Sequence, residues 1–226
     1  MFQLTVYVRV SDPSQPLRIY IEGDGRAWRT PTEPSSDPTP RRMLGLQLAA
    51  ADRSPNVAYL ARPCQFSQDP SCDVRYWTGR RYAPEVVTSL NDAITALAAA
   101  VPRQPIELVG YSGGGALAVL VASRRQDVRS LRTVAANLDV EAVNILHHVA
   151  TMPESLNPID FVVAVRSVPQ IHFSGARDTV VPPAIGRRFT AAIGGTCTLT
   201  QSIDGMTHDG DWARLWPQLL QQTPHC

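Results

Sequence analysis

Ile106-Glu-Leu-Val-Gly110-Tyr-Ser112-Gly-Gly114-Gly115-Ala116-Leu117 decides how the rest of the chain is read. Its apolar start makes a buried strand, Ser112 sits in a turn crowded with glycine, and a run of small residues begins a helix. A serine hydroxyl is a poor nucleophile until a base takes its proton, so a reactive serine must be lifted clear of the sheet into reach of other loops. Glycines two positions either side of Ser112 remove the Cβ atoms that would collide where strand and helix meet so sharply. The string G-x-S-x-G alone is common, but with this strand before it and this helix after it the reading is a nucleophile elbow. The plainer readings are an ordinary glycine-rich turn or a phosphate loop on a helix N-terminus. A G-x-x-x-x-G-K-[ST] loop needs a lysine, and all 21 basic side chains here are arginine.

An acyl-transfer serine needs a histidine to take its proton and an acid to orient that histidine. Ile171-His-Phe-Ser-Gly175-Ala-Arg-Asp178-Thr-Val-Val-Pro-Pro183 reads as a strand and a tight turn presenting Asp178. The later loop Asp204-Gly-Met-Thr-His208-Asp-Gly carries an isolated histidine. The plain readings are that Asp178 stabilises its turn or caps the next helix, and that His208 is one loop histidine among 5. Ser112, Asp178, His208 is nevertheless the chain order this architecture requires. Asp139 is a rival acid without such a turn. His147 and His148 fall in an irregular stretch, as a pocket wall or facing water. His172 lies inside a strand, His225 beside the terminus, and Asp204, Asp209 and Asp211 flank His208 as turn or cap residues. The tetrahedral intermediate also needs two N–H donors. One is the amide of Gly113, and the other is Asp24 or Gly25 in the glycine-rich loop Gly23-Asp24-Gly25, whose carboxylate must then turn away from the oxyanion.

Strand and helix signals alternate, as a mostly parallel sheet flanked by helices requires. Strands are predicted over 2–10, 17–21, 56–60, 106–109, 131–136, 169–173 and 197–202, and helices over 43–51, 84–101, 184–192 and 211–220 besides the one after Ser112. A loop without a returning strand follows Trp28. No repeat or linker divides the chain, so a single α/β domain over 1–226 is expected, with 138–167 as a lid-like insertion.

At 226 residues and 44% hydrophobic content the chain can bury a large core, and a net charge of +1 without a basic block gives no nucleic-acid surface. No stretch approaches the ~18–20 apolar residues of a membrane span. Four cysteines at 64, 72, 197 and 226 lack C-x-x-C spacing, so two disulfides are expected rather than a metal site; Cys64 with Cys72 and Cys197 with Cys226 is the simplest of three connectivities. Two disulfides imply an oxidising compartment. The opening Met-Phe-Gln-Leu-Thr-Val-Tyr carries no export signal, so the expectation is a chain that begins after a removed leader, in the periplasm or cell envelope, with a cytoplasmic location as the alternative.

The elbow, the Gly175-Ala-Arg-Asp178 turn and the late His208 together resemble the α/β-hydrolase superfamily over essentially the whole chain. More narrowly, Glu22-Gly-Asp-Gly-Arg-Ala-Trp28, Asn137-Leu-Asp139 and Ser155-Leu-Asn-Pro158 resemble a group of bacterial envelope hydrolases of unassigned function, some with lipoprotein leaders. The resemblance implies an eight-stranded type of sheet, here with abbreviated N-terminal strands, a Ser-Asp-His triad and no cofactor. The usual His-Gly oxyanion motif is replaced by Gly-Asp-Gly. The expected activity is hydrolysis of carboxylic esters of small or medium acyl groups, a small-molecule substrate, with Ser112 attacking, His208 relaying the proton and Asp178 holding the imidazole. Other acyl chemistry (thioester, peptide or lactone cleavage, or acyl transfer) and a non-catalytic binding protein of the same fold are the alternatives. Trp28, Tyr111, His148 and Trp77 are candidate pocket walls, and the apolar residues of 138–167 line an acyl pocket or form the core face of a helix.

Overall fold

The computed structural model describes residues 2–30, 32–67 and 69–226; Met1, Pro31 and Gln68 lie outside that description. Among the described residues the main sheet has seven strands, not eight: β1 (Val6–Val10), β2 (Leu17–Ile21), β5 (Asn56–Leu60), β6 (Ile106–Tyr111), β7 (Val128–Val134), β8 (Gln170–Gly175) and β9 (Thr198–Ile203). They lie in the order β1-β5-β2-β6-β7-β8-β9, all parallel except β1, which runs antiparallel along β5. The first strand is shorter than expected. Its early residues leave the ladder, with Gln3 donating its N–H to the Asp69 carboxylate and Thr5 accepting from Ala61.

Alternation along the strands divides the core between two faces. Leu17, Ile19, Ile21, Ala58, Leu60, Ile106 and Leu108 point to one side, where α2 (Pro84–Ala98), α3 (Gly113–Ala122) and α6 (Pro183–Ile193) pack. Tyr20, Tyr59, Val109 and Tyr111 point to the other, under α1 (Leu44–Ala51) and α7 (Trp212–Leu219), with Trp212 and Trp216 wholly buried. All of α3 is buried, which explains a helix built from small and aliphatic residues with no polar stripe. Pro84 starts α2 as read, but the helix ends at Ala98. Leu97 and Ala98 accept from Ala100 and Val101 in tight turns, so Val101 enters the core without belonging to the helix.

The loop after Trp28 does contain a returning strand, a short antiparallel pair β3 (Trp28–Thr30) and β4 (Glu33–Pro34). Segment 138–167 forms α4 (Val140–Leu146), a 3-10 turn at Pro158–Phe161 and α5 (Val162–Val165). Leu138, Val140, Val143 and Val165 go into the core, whereas Ile145, Leu146 and Val149 face solvent. Cys64 pairs with Cys72 and Cys197 with Cys226, the simplest connectivity, which is consistent with an oxidising extracytoplasmic location. Among the described residues no helix is long and apolar enough to cross a membrane.

His172 is buried in the sheet, its ring between the Thr133 hydroxyl (2.9 Å) and the Gln170 amide (3.1 Å) and edge-on to Phe189. Burial pushes its pKa down to about 3. An unfolded histidine titrates near ~6.5, so below that pH the unfolded chain binds a proton the folded chain refuses. Stability is therefore full above ~6.5 and falls as pH drops toward 3. Urea unfolding of the native protein is expected to show a lower midpoint at pH 5 than at pH 7, and His172→Gln to flatten that slope. An unchanged slope in the variant would show that other groups set it.

Candidate active site

Parallel strands in register bring Ile21, Leu60, Tyr111, Val134, Gly175 and Ile203 to one edge of the sheet, and the chain's chemistry lies in the loops that leave it. Ser112 leaves β6 with φ 51° and ψ −121°, a left-handed backbone that a non-glycine residue keeps only when its surroundings enforce it. Its N–H donates to Val134 (2.9 Å), and its carbonyl accepts from Gly115 (2.9 Å) and Asn137 (3.2 Å). A Cβ on Gly110 would stand 2.3 Å from the Gly114 carbonyl oxygen, and one on Gly114 would stand 2.3 Å from that of Ile21. The sharp turn thus admits no side chain at either glycine.

His208 lies in the turn between β9 and α7. The Trp212 indole donates to the carbonyls of Thr207 (3.1 Å) and His208 (3.0 Å), Arg42 donates to that of Asp209 (2.5 Å), and the Tyr111 phenol donates to that of His208 (3.4 Å). With its main chain so held, the imidazole places Nε2 2.9 Å from Ser112 Oγ and Nδ1 2.9 Å from Asp178 Oδ2. The Asp178 carboxylate is wholly buried, and its Oδ1 accepts the N–H groups of Val180 and Val181, both at 2.8 Å. The turn-forming and histidine-facing readings of Asp178 therefore coexist, one on each oxygen. A carboxylate facing Nδ1 favours the proton there and leaves the Nε2 lone pair toward the serine hydroxyl.

The loop after β2 runs past the elbow, and a Cβ on Gly23 would lie 3.4 Å from that of Ser112. Among the described residues the N–H groups of Asp24, Gly25 and Gly113 have no hydrogen-bond acceptor. The Asp24 side chain turns into an ion cluster: Arg62 Nη1 meets Oδ1, Arg81 Nη1 lies 2.9 Å from Oδ2, and the Tyr82 hydroxyl donates to both oxygens at 3.2 and 3.3 Å. Burial alone would raise the Asp24 pKa, but the two guanidiniums override it and hold the carboxyl at about 2. A Cβ on Gly113 would stand 2.0 Å from Asp24 Oδ1 and 2.7 Å from Arg62 Nη1, so this cluster occupies the space a side chain after Ser112 would take. Gln65 Nε2 donates to the Gly23 carbonyl (2.9 Å), next to the Cys64–Cys72 bridge. Glu22 accepts from the N–H groups of Gly23, Gly45 and Leu46 and from the Tyr59 hydroxyl.

Arg62, Arg81, Tyr82 and Gln65 belong to no motif in the sequence, and Glu22 only opens the 22–28 motif without a role read for it. The available signal was position: Arg62 and Gln65 follow directly on the buried strand β5, at the same sheet edge as the elbow. A cavity of about 570 Å³ opens over Ser112 and His208, lined also by Asp24, Gly25, Trp28 and Tyr111. Tyr111 tilts against His208, with ring centroids 5.6 Å apart. His148 and segment 138–167 do not line this cavity, and Trp77 instead donates to the Ser35 carbonyl at 2.9 Å. The rival Asp139 caps α4 through the Ala142 N–H (3.1 Å) and pairs with Arg188 at 2.5 Å. His147 meets the Val180 carbonyl and His225 that of Thr223.

Sequence comparison matches the chain to no protein-family model and to no curated protein. Solved structures do match. Est1E from Butyrivibrio proteoclasticus with ferulic acid bound superimposes with a TM-score of 0.68 at 14% identity, over 97% of this chain and 95% of that one. The chain has the α/β-hydrolase fold. Two further solved structures superimpose similarly: an α-β serine hydrolase homologue from Coxiella burnetii (TM-score 0.66, 17% identity, 97% and 91% covered) and the esterase domain of a Rhodothermus marinus protein (0.61, 16%, 96% and 96%). In this version of the fold the antiparallel edge is the single strand β1.

Proposed function

We propose that the protein is a serine hydrolase that cleaves carboxylic esters of small or medium acyl groups through an acyl-enzyme. The observation that carries this reading is the unbroken chain of hydrogen bonds from Ser112 Oγ through His208 to Asp178, both links at 2.9 Å. Ser112 Oγ attacks the ester carbonyl as His208 Nε2 takes its proton, and Asp178 stabilises the imidazolium that forms. The N–H groups of Gly113 and of Asp24 or Gly25 receive the oxyanion, and turning the Asp24 carboxylate into Arg62 and Arg81 keeps its charge from opposing it. Collapse expels the alcohol, which takes the proton from His208. Water, activated by the same imidazole, then attacks the acyl-enzyme and releases the acid and Ser112. An esterase domain among the structural neighbours supports the choice of an ester substrate.

A fluorophosphonate probe tests the reading without knowledge of the substrate, because it labels only an activated nucleophile. Stoichiometric labelling is expected at Ser112, competed by a short nitrophenyl ester. A folded protein that takes up no label would favour the non-catalytic alternative.

A further inference from the structure

The cavity over Ser112 is lined by four arginines, Arg26, Arg41, Arg42 and Arg81. The two carboxylates in the lining do not balance them. Glu22 is buried and receives three N–H groups and a tyrosine hydroxyl, while Asp24 is already shared between Arg81 and Arg62. Among the described residues no carboxylate lies within 4.0 Å of the guanidiniums of Arg26, Arg41 or Arg42, although pairs of that kind form elsewhere on the molecule. Arg42 is fixed across the cleft by its bond to the carbonyl of Asp209, the residue after His208. Arg26 is carried on the oxyanion loop, where its N–H holds the Pro38 carbonyl at 2.9 Å. Positive side chains on loops around a concave site focus a field into it, and each guanidinium offers forked donors to two oxygens of a carboxylate or a phosphate.

Resting on the reading of Ser112 as a nucleophile, the geometry points to an anionic substrate: a small ester bearing a carboxylate or phosphate group, bound by Arg26, Arg41 and Arg42 while its carbonyl meets Ser112. The arginines select the substrate by its charge, and Trp28 at the rim supplies a flat apolar face beside them.

Two matched pairs of esters test this. In one, 4-nitrophenyl butyrate is compared with 4-nitrophenyl hydrogen succinate, which places a carboxylate on the acyl half. In the other, butyryl glycerol is compared with butyryl glycerol 3-phosphate, which places a phosphate on the alcohol half. At low salt kcat/KM is expected to favour the anionic member of at least one pair roughly tenfold or more, and the pair that responds identifies which anion the site takes. The ratio is expected to shrink as salt rises and in Arg26→Gln, Arg41→Gln and Arg42→Gln. Ser112→Ala protein is expected to bind the favoured anionic ester more tightly than its neutral partner. Cleavage of both neutral esters with no preference in either pair overturns the inference and leaves the hydrolase reading standing. No cleavage of any ester, with no fluorophosphonate labelling, overturns the hydrolase reading and this inference with it.

Discussion

Ser112→Ala is expected to lower kcat/KM for a 4-nitrophenyl ester by roughly 10⁴-fold or more, because a methyl group can neither attack the carbonyl nor pass a proton to His208. The effect should reach kcat rather than KM, since the cavity walls are untouched. Among the described residues the Ser112 hydroxyl makes no hydrogen bond other than that to His208, so the thermal midpoint should stay close to the parent's. His208→Ala should cost about as much, and the double variant little more than either single one, because residues that act as a unit lose their effect together. Asp178→Asn is the sharper case. It keeps the shape of the turn but places an amide against Nδ1, which favours the wrong imidazole tautomer, and a loss of about 10⁴-fold is expected. Substantial ester turnover by Ser112→Ala would remove the foundation of the mechanism.

Asp24→Ala is expected to be the most destabilising change near the site. It leaves Arg62, only 5% exposed, and Arg81, 17% exposed, facing each other without a counter-charge. Breaking a buried ion pair by removing one partner costs about 3–5 kcal/mol. Urea denaturation should show that loss, and ester turnover should fall with it, because the N–H groups of Asp24 and Gly25 lose the anchor that holds their loop beside Ser112. Acid should reproduce part of the effect. The folded carboxyl titrates at about 2, below its ordinary value, so its stabilisation is present above the unfolded pKa near ~3.9 and is lost as pH falls through about 2. This acid limb is separate from that of His172, which begins near ~6.5. A denaturation midpoint in Asp24→Ala equal to the parent's would refute the structural role given to the cluster.

What could be read from the sequence was local. The elbow depends on Gly110, Ser112 and Gly114 standing at fixed spacing, and the turn at Asp178 on residues within a few positions of it. Strands β2 and β5 were bounded correctly because every residue in a parallel strand covered on both faces tends to be apolar. The placement of Ser112, Asp178 and His208 beyond the ends of β6, β8 and β9 then followed from the alternation of strand and helix along the chain. The Asp24 cluster was illegible for the opposite reason. Its members lie 38, 57 and 58 positions from Asp24, and nothing near Arg62, Arg81 or Tyr82 distinguishes them from other surface-loop residues. The end of α2 was misplaced because Val101 keeps the helical spacing while its backbone has already turned. The β3–β4 pair was missed because prolines that argue against a strand are tolerated at an edge.

Gly113, Asp24 and Arg62 contend for one volume at the back of the elbow, and that shapes how relatives of this protein can diverge. A side chain at position 113 would have to push the ends of Asp24 and Arg62 out of the place they hold. Any change there is therefore felt by the ion cluster as well as by the elbow, and the three positions should respond to mutation together.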